Sequence, residues 1–111
     1  MVNTMEGIEL LNFQIISNVG DAKSFLFEAL KAAREERFED AEKFIKDAEN
    51  SLGKAHEIHV DLLQQETQGE PIEISLLLMH AEDQMMSTEM LRDVTNEMLL
   101  VHKKYSNVNK E

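Results

Sequence analysis

Apolar residues recur at alternating steps of three and four along most of this 111-residue chain. That period matches an α-helix that buries one stripe, and it leaves little room for strands, whose alternation has a period of two. Ile8, Leu11, Ile15, Val19, Ala22, Leu26, Ala29 and Ala33 mark a first helix from about Thr4 to Arg34. Gly20 weakens this helix without ending it. After a charged joint at Glu35 to Arg37, the residues Phe38, Ala41, Ile45, Ala48, Leu52, Ala55, His59 and Leu62 form an unbroken heptad seam. Gly69 suits a left-handed helix terminus and Pro71 suits the first turn of the next helix, so a third helix is expected to start near Pro71.

The rest of the composition agrees with an all-α domain. Proline occurs once, aromatics make up 5% of the residues and methionine occurs seven times. Three helices of about 30 residues at about 1.5 Å per residue would each span roughly 45 Å, giving a long antiparallel three-helix bundle of small cross-section. Residues 1–105 form a single expected domain, and 106–111 a polar, frayed tail.

Absent residue types narrow the chemistry. The chain has no cysteine, which removes disulfides, thiolate nucleophiles and zinc-thiolate sites and fits a cytoplasmic setting. The formal charge of −11 argues against nucleic acid as a partner, because phosphate backbones are bound chiefly through clustered Lys and Arg. Neither a signal peptide nor a membrane span is visible. The glycines are scattered, and no phosphate loop or nucleophile elbow is present, so a nucleotide-binding enzyme is not expected.

The third helix carries more apolar surface than one buried stripe requires. One row runs through Leu76, Met79, Asp83, Met86, Met90, Val94 and Val101, and another through Ile74, Leu77, Leu78, Ala81, Met85, Leu91 and Leu99. The surplus predicts burial against another subunit; a generous core with some exposed methionine is the plainer alternative. Asp83 is the anomaly in its row. An ionised carboxylate among apolar neighbours is costly without compensation. If the row faces a symmetry axis, the gathered carboxylates would need a cation or shared protons, and three of them with waters would suit Mg2+. If the helix is turned slightly, Asp83 instead meets water or a lysine at the rim.

His80 lies one turn before Asp83. Its ring nitrogens can serve as ligand, base or nucleophile near neutral pH, or the residue can simply be packed or solvated. His56 and His59 share a helix face and can chelate a metal, but without a further ligand at a defined spacing a hydrogen-bonded histidine on the seam is the better reading of His59. His102 near the C-terminus complements the helix dipole. Glu39, Asp40, Glu42, Asp47 and Glu49, interspersed with Lys43 and Lys46, read as a solvated face.

The segment Ser75-Leu76-Leu77-Leu78-Met79-His80-Ala81-Glu82-Asp83-Gln84-Met85-Met86 resembles the signature SLLLxHAQDHLM of the lactose/cellobiose-type enzyme IIA family of the bacterial phosphoenolpyruvate-dependent sugar phosphotransferase system. Phe13 to Ser17, Glu28 to Leu30, Phe38 to Glu42 and Ala55-His56 resemble the first two helices of that family, in order and at matching distances. The resemblance implies a cytoplasmic homotrimer of nine helices. It implies that His80 accepts a phosphoryl group from the histidine-phosphocarrier protein and passes it to a cysteine of the cognate enzyme IIB. It further implies that Asp83 holds a structural Mg2+ on the three-fold axis, that no nucleotide takes part, and that the membrane is reached only indirectly, through a sugar permease. The transported sugar would be a β-linked disaccharide such as cellobiose, chitobiose or lactose. Two positions depart from the motif, where Glu82 and Gln84 replace the usual Gln and second His; Glu36 and Arg37 also stand where Gly and Asp are common. An extra carboxylate at Glu82 would repel an incoming phosphoryl group if it faced the acceptor. The reading from another class is a non-enzymatic helical adaptor that binds partner helices through its Met-rich rows. A carboxylate-type metal centre is a third, but the paired Glu and Glu-x-x-His pattern is missing.

Overall fold

The computed structural model describes residues 5–106, with side chains from Gly7 onward. Three helices follow in order: α1 (Met5–Arg34), α2 (Phe38–Thr67) and α3 (Leu76–Tyr105), each of 30 residues. They form a rod of 62 × 20 × 20 Å. Ile8 and Glu9 share a cleft with Glu73 and Ser75, so α1 and α3 start side by side and run parallel, with α2 antiparallel to both. No helix among the described residues is long and apolar enough to cross a membrane.

Both joints are built the same way. At the end of α1, the amide of Glu36 donates to the Ala33 carbonyl and that of Arg37 to the Ala32 carbonyl, at 3.0 and 2.8 Å. At the end of α2, the amide of Gly69 donates to Glu66 and that of Glu70 to Gln65, at 3.1 and 2.9 Å. Each pair satisfies carbonyls that the helix end leaves without partners, and each needs a left-handed residue at the turn. Gly69 supplies it at φ 89°, as its identity predicts, whereas at the first joint Glu36 adopts φ 61°. Arg37 braces that joint through ion pairs of 2.8 Å to both Glu35 and Asp40. Its hydrogen bond holds the Glu35 carboxyl below the usual carboxylate range.

The start of α3 corrects the sequence reading. The helix begins at Leu76, and Pro71 to Ser75 are not helical. Ser75 is the cap: its backbone is extended, and its hydroxyl accepts a 3.1 Å hydrogen bond from the amide of Leu78. A serine cap satisfies an orphan N–H that Pro71 has no side chain to reach. Half-buried Ile72 packs against the core in the segment between. Ile74, expected on the inner row of the helix, therefore precedes it and is exposed. The expected start of the first helix at Thr4 lies outside the described residues. So does the expected tail beyond Ser106, whose own hydroxyl donates to the Lys103 carbonyl.

The core follows the three-four stripes. Ile15, Val19, Ala22 and Leu26 of α1 meet Ala41, Ile45, Ala48, Leu52, Ala55 and Leu62 of α2, and Ala81, Met85 and Leu99 of α3. Burying a side chain the size of Ile15 or Leu26 contributes about 1.5–3 kcal/mol. The many alanines let the helix axes approach closely, which keeps the rod thin. On α1 the stripe departs from expectation at one step: Asn12 is fully buried and Leu11 only partly so. Neither polar atom of the Asn12 side chain has a hydrogen-bond partner among the described residues.

The second row of α3 stays outside this core. Leu76, Met79, Met86, Met90, Val94 and Val101 are 46–82% exposed, and Asp83 is exposed among them. Over the same length, the inner row buries Ala81, Met85 and Leu99 and half-buries Leu77, Leu78 and Leu91.

Candidate functional site

α3 fixes the site because its cap Ser75 and its first three turns carry every residue of the histidine motif. Successive residues turn by about 100° around a helix, so His80 and Glu82 stand on opposite flanks of α3, with the apolar row of Met79 and Asp83 between them on the outside. Asp83 and Gln84 lie one turn beyond His80 and are its neighbours on the helix surface.

His80 is exposed, and its imidazole has no hydrogen-bond partner among the described residues. Both ring nitrogens are therefore open to a partner surface. Asp83 is exposed one turn on, and Gln84 is half-buried.

Glu82 has turned to α2. Nδ1 of His59 lies 2.8 Å from Oε1 and 2.7 Å from Oε2 of Glu82, an inter-helix contact between two half-buried side chains. The carboxylate that departs from the motif thus has an imidazole partner within its own chain and does not face His80. Beside this pair, α2, α3 and the segment that joins them line an apolar groove of about 270 Å3, walled by Leu62, Leu63, Ile72, Ile74, Leu78 and Met79.

The remaining candidates separate from this cluster. The rings of His56 and His59 lie 6.0 Å apart and tilted by 39°, with His56 exposed and His59 engaged by Glu82. Among the described residues no three His, Cys, Asp or Glu side chains converge to hold a metal ion. One chain offers Asp83 alone, so these residues fit a cation only where copies bring several Asp83 carboxylates together. His102 is half-buried in the last turn of α3 beside Lys103 and Lys104, and Lys103 ion-pairs with Glu42 of α2. The acids of α2 are exposed apart from half-buried Asp47.

Sequence reasoning foresaw a hydrogen-bonded His59 but missed its partner, because residues 23 apart in the chain give no periodic signal. Asn12 was missed for a different reason. A polar residue beside Leu11 reads as the wet side of a helix until the packing fixes the phase.

Residues 10–103 match the family described as "PTS system, Lactose/Cellobiose specific IIA subunit". A lactose-specific EIIA component of Staphylococcus epidermidis is 37% identical over 99 residues, covering 89% of this chain and 95% of that one. An oligo-beta-mannoside-specific EIIA component of Bacillus subtilis is 42% identical over 91 residues, covering 82% and 83%. The crystal structure of a cellobiose-specific enzyme IIA from Bacillus anthracis superimposes with a TM-score of 0.87 at 33% identity, covering 94% of each chain. With its three-helix fold and its histidine motif in the first turns of α3, this chain belongs to the lactose/cellobiose-specific IIA subunits of the sugar phosphotransferase system.

Proposed function

We propose that this protein is a cytoplasmic phosphoryl carrier that accepts a phosphoryl group on His80 from the histidine-phosphocarrier protein and delivers it to a cysteine of its cognate enzyme IIB. The observation that carries the reading is the exposed, unengaged His80 imidazole within the family's motif, flanked by an exposed apolar face.

In the first step, an unprotonated ring nitrogen of His80 attacks phosphorus in line. The N–P bond to His80 forms as the N–P bond to the donor histidine breaks. In the second step, the enzyme IIB thiolate attacks, an S–P bond forms and the imidazole leaves. Such a transfer depends mostly on positioning and charge compensation, supplied jointly by two docked surfaces, and needs no nucleotide. Methionine side chains around His80 adapt to different shapes, which suits a surface that must receive two partners in turn.

The outer row of α3 supports a homotrimer in which three copies of α3 face a common axis. Asp83 would then hold a divalent cation, Mg2+ by the chemistry of its oxygen donors, and the ion would offset the repulsion among three carboxylates. The sugar reached through the permease is a β-linked disaccharide, in keeping with the lactose and cellobiose specificities named for the relatives.

The test is phosphorylation with phosphoenolpyruvate and the general phosphotransferase components, read by intact mass. The expected result is one acid-labile phosphoryl group per chain, lost in His80→Ala. A chain that gains no mass, or a phosphoryl group that persists in His80→Ala, sinks the carrier reading and leaves the helical adaptor.

A further inference from the structure

A second cleft, of about 320 Å3, lies between α1 and α2. Its walls are Leu11 of α1 and Ile58, Asp61, Gln64, Gln65 and Gln68 of α2. No residue of α3 lines it, so it is separate from His80 and from the face that the proposed trimer would bury. The wall residues on α2 recur at steps of three and four from Ile58 to Gln68. They therefore form one strip about 15 Å long, ten residues of helix rise.

Three features of this cleft ask for a cation. Oε1 of half-buried Gln65 is itself buried and has no hydrogen-bond partner among the described residues, and an acceptor in that state is costly until a donor reaches it. Asp61 is exposed on the same strip without an ion-pair partner among the described residues, and among them no Lys, Arg or His lines the cleft. The next cation along this face of α2, Lys54, lies two turns before Asp61 and outside the cleft. The strip ends at Gln68, the C-cap of α2, where the helix dipole concentrates partial negative charge. The last turns of α1 and α3 answer that charge with Lys31 and Arg34 and with His102, Lys103 and Lys104, whereas the last turn of α2 carries no basic residue.

We propose that the cleft between α1 and α2 binds an aliphatic diamine or polyamine. A primary ammonium has three donors, enough to reach both the Asp61 carboxylate and the Gln65 oxygen, which stand one turn apart on α2. Leu11 and Ile58 give the methylenes an apolar side. A second ammonium is held by the side-chain oxygens of Gln64 and Gln68 and by the negative end of the α2 dipole. The ligand stabilises the fold by mass action, because the site exists only where α1 and α2 are packed.

Titrating the full chain with 1,4-diaminobutane and following its backbone amides by NMR tests this. A salt concentration of about 0.15 M screens the general attraction of a cation to a chain of charge −11. Saturable shifts are expected at Leu11 and from Ile58 to Gln68. Asp61→Asn keeps the shape of an exposed side chain and removes its charge, and it is expected to weaken binding by about tenfold or more, since hydrogen bonds to charged groups are the strong ones. Gln65→Leu, which removes the buried oxygen, should also weaken binding. Glu49→Gln, at an exposed acid of α2 outside the cleft, should bind as wild type does. The proposal is overturned by shifts that do not saturate or that spread over the acidic surface, and by Asp61→Asn or Gln65→Leu binding as tightly as wild type. It is equally overturned by Glu49→Gln binding as weakly as Asp61→Asn, or by 1,4-butanediol shifting the same amides as strongly, which would make this a site for neutral hydroxyls.

Discussion

At Glu36 the chain holds a residue with a Cβ in the left-handed region, φ 61°, where the side chain crowds the following carbonyl. That conformation costs roughly 1–2 kcal/mol for residues other than glycine. The two amide hydrogen bonds that close the joint keep it in place. Glu36→Gly is expected to raise stability by about 1 kcal/mol, less the extra entropy of glycine in the unfolded chain. A rise of a few degrees in Tm by calorimetry would show it; an unchanged or lower Tm would mean that Glu36 earns its place through its side chain. Asn12 presents the opposite problem, a buried amide whose two polar atoms lack partners among the described residues. Leaving a polar group in that state costs about 1–3 kcal/mol. Asn12→Leu, which keeps the branching of the side chain and removes its polar atoms, should therefore shift the urea midpoint upward with an unchanged slope, and a downward shift would refute the account. Neither residue was legible as strained in the sequence. Strain at Glu36 depends on the joint adopting a left-handed turn, and cost at Asn12 depends on which side of α1 the core selects.

At the scale of elements, the sequence is most transparent where one residue has one plausible use. Gly69 ends α2 as expected because glycine tolerates the left-handed turn without penalty, and the heptad seam of α2 is buried nearly step for step. The start of α3 was misplaced because two signals competed. Pro71 is a good first helical residue, but Ser75 is a better cap, and capping satisfies an amide that proline leaves bare. The outcome matters for function, because the turn that Ser75 caps leads directly into His80. Ser75→Ala is expected to cost about 1 kcal/mol and to loosen the first turn of α3. Hydrogen exchange should show faster exchange at the amide of Leu78 and its neighbours and little change in α1. Equal loosening throughout the molecule would show that the cap acts on the whole bundle rather than on this turn. The site was legible to the same degree: the motif marks His80 and Asp83, and helix geometry sets their flanks, but the engagement of Glu82 by His59 depends on how α2 and α3 pack.

The whole molecule exposes a continuous apolar row along α3 whose one charge is Asp83 within the stretch from Leu76 to Met90. A lone thin rod gains nothing from that face, whereas in the proposed trimer three copies around an axis would bury it and bring three carboxylates together. Cation and assembly are then linked, because an ion that binds only the trimer stabilises it by mass action. Chelation of wild type is expected to lower its Tm and drive it toward smaller species. Asp83→Leu places an apolar group where the charges were, so no compensation is needed, and replacing buried charges by apolar groups of similar size is often neutral or stabilising. That variant should remain a trimer in native mass spectrometry, carry no divalent ion, and show the same Tm with and without chelator. His80 is one turn away and on the flank, so phosphoryl acceptance should persist in Asp83→Leu at a rate close to that of wild type. A variant that stays trimeric yet responds to chelator would place the ion elsewhere. A variant that falls apart would give Asp83 a direct contact across the interface, and a trimer that no longer accepts phosphoryl groups would move Asp83 from holding the assembly to shaping the acceptor.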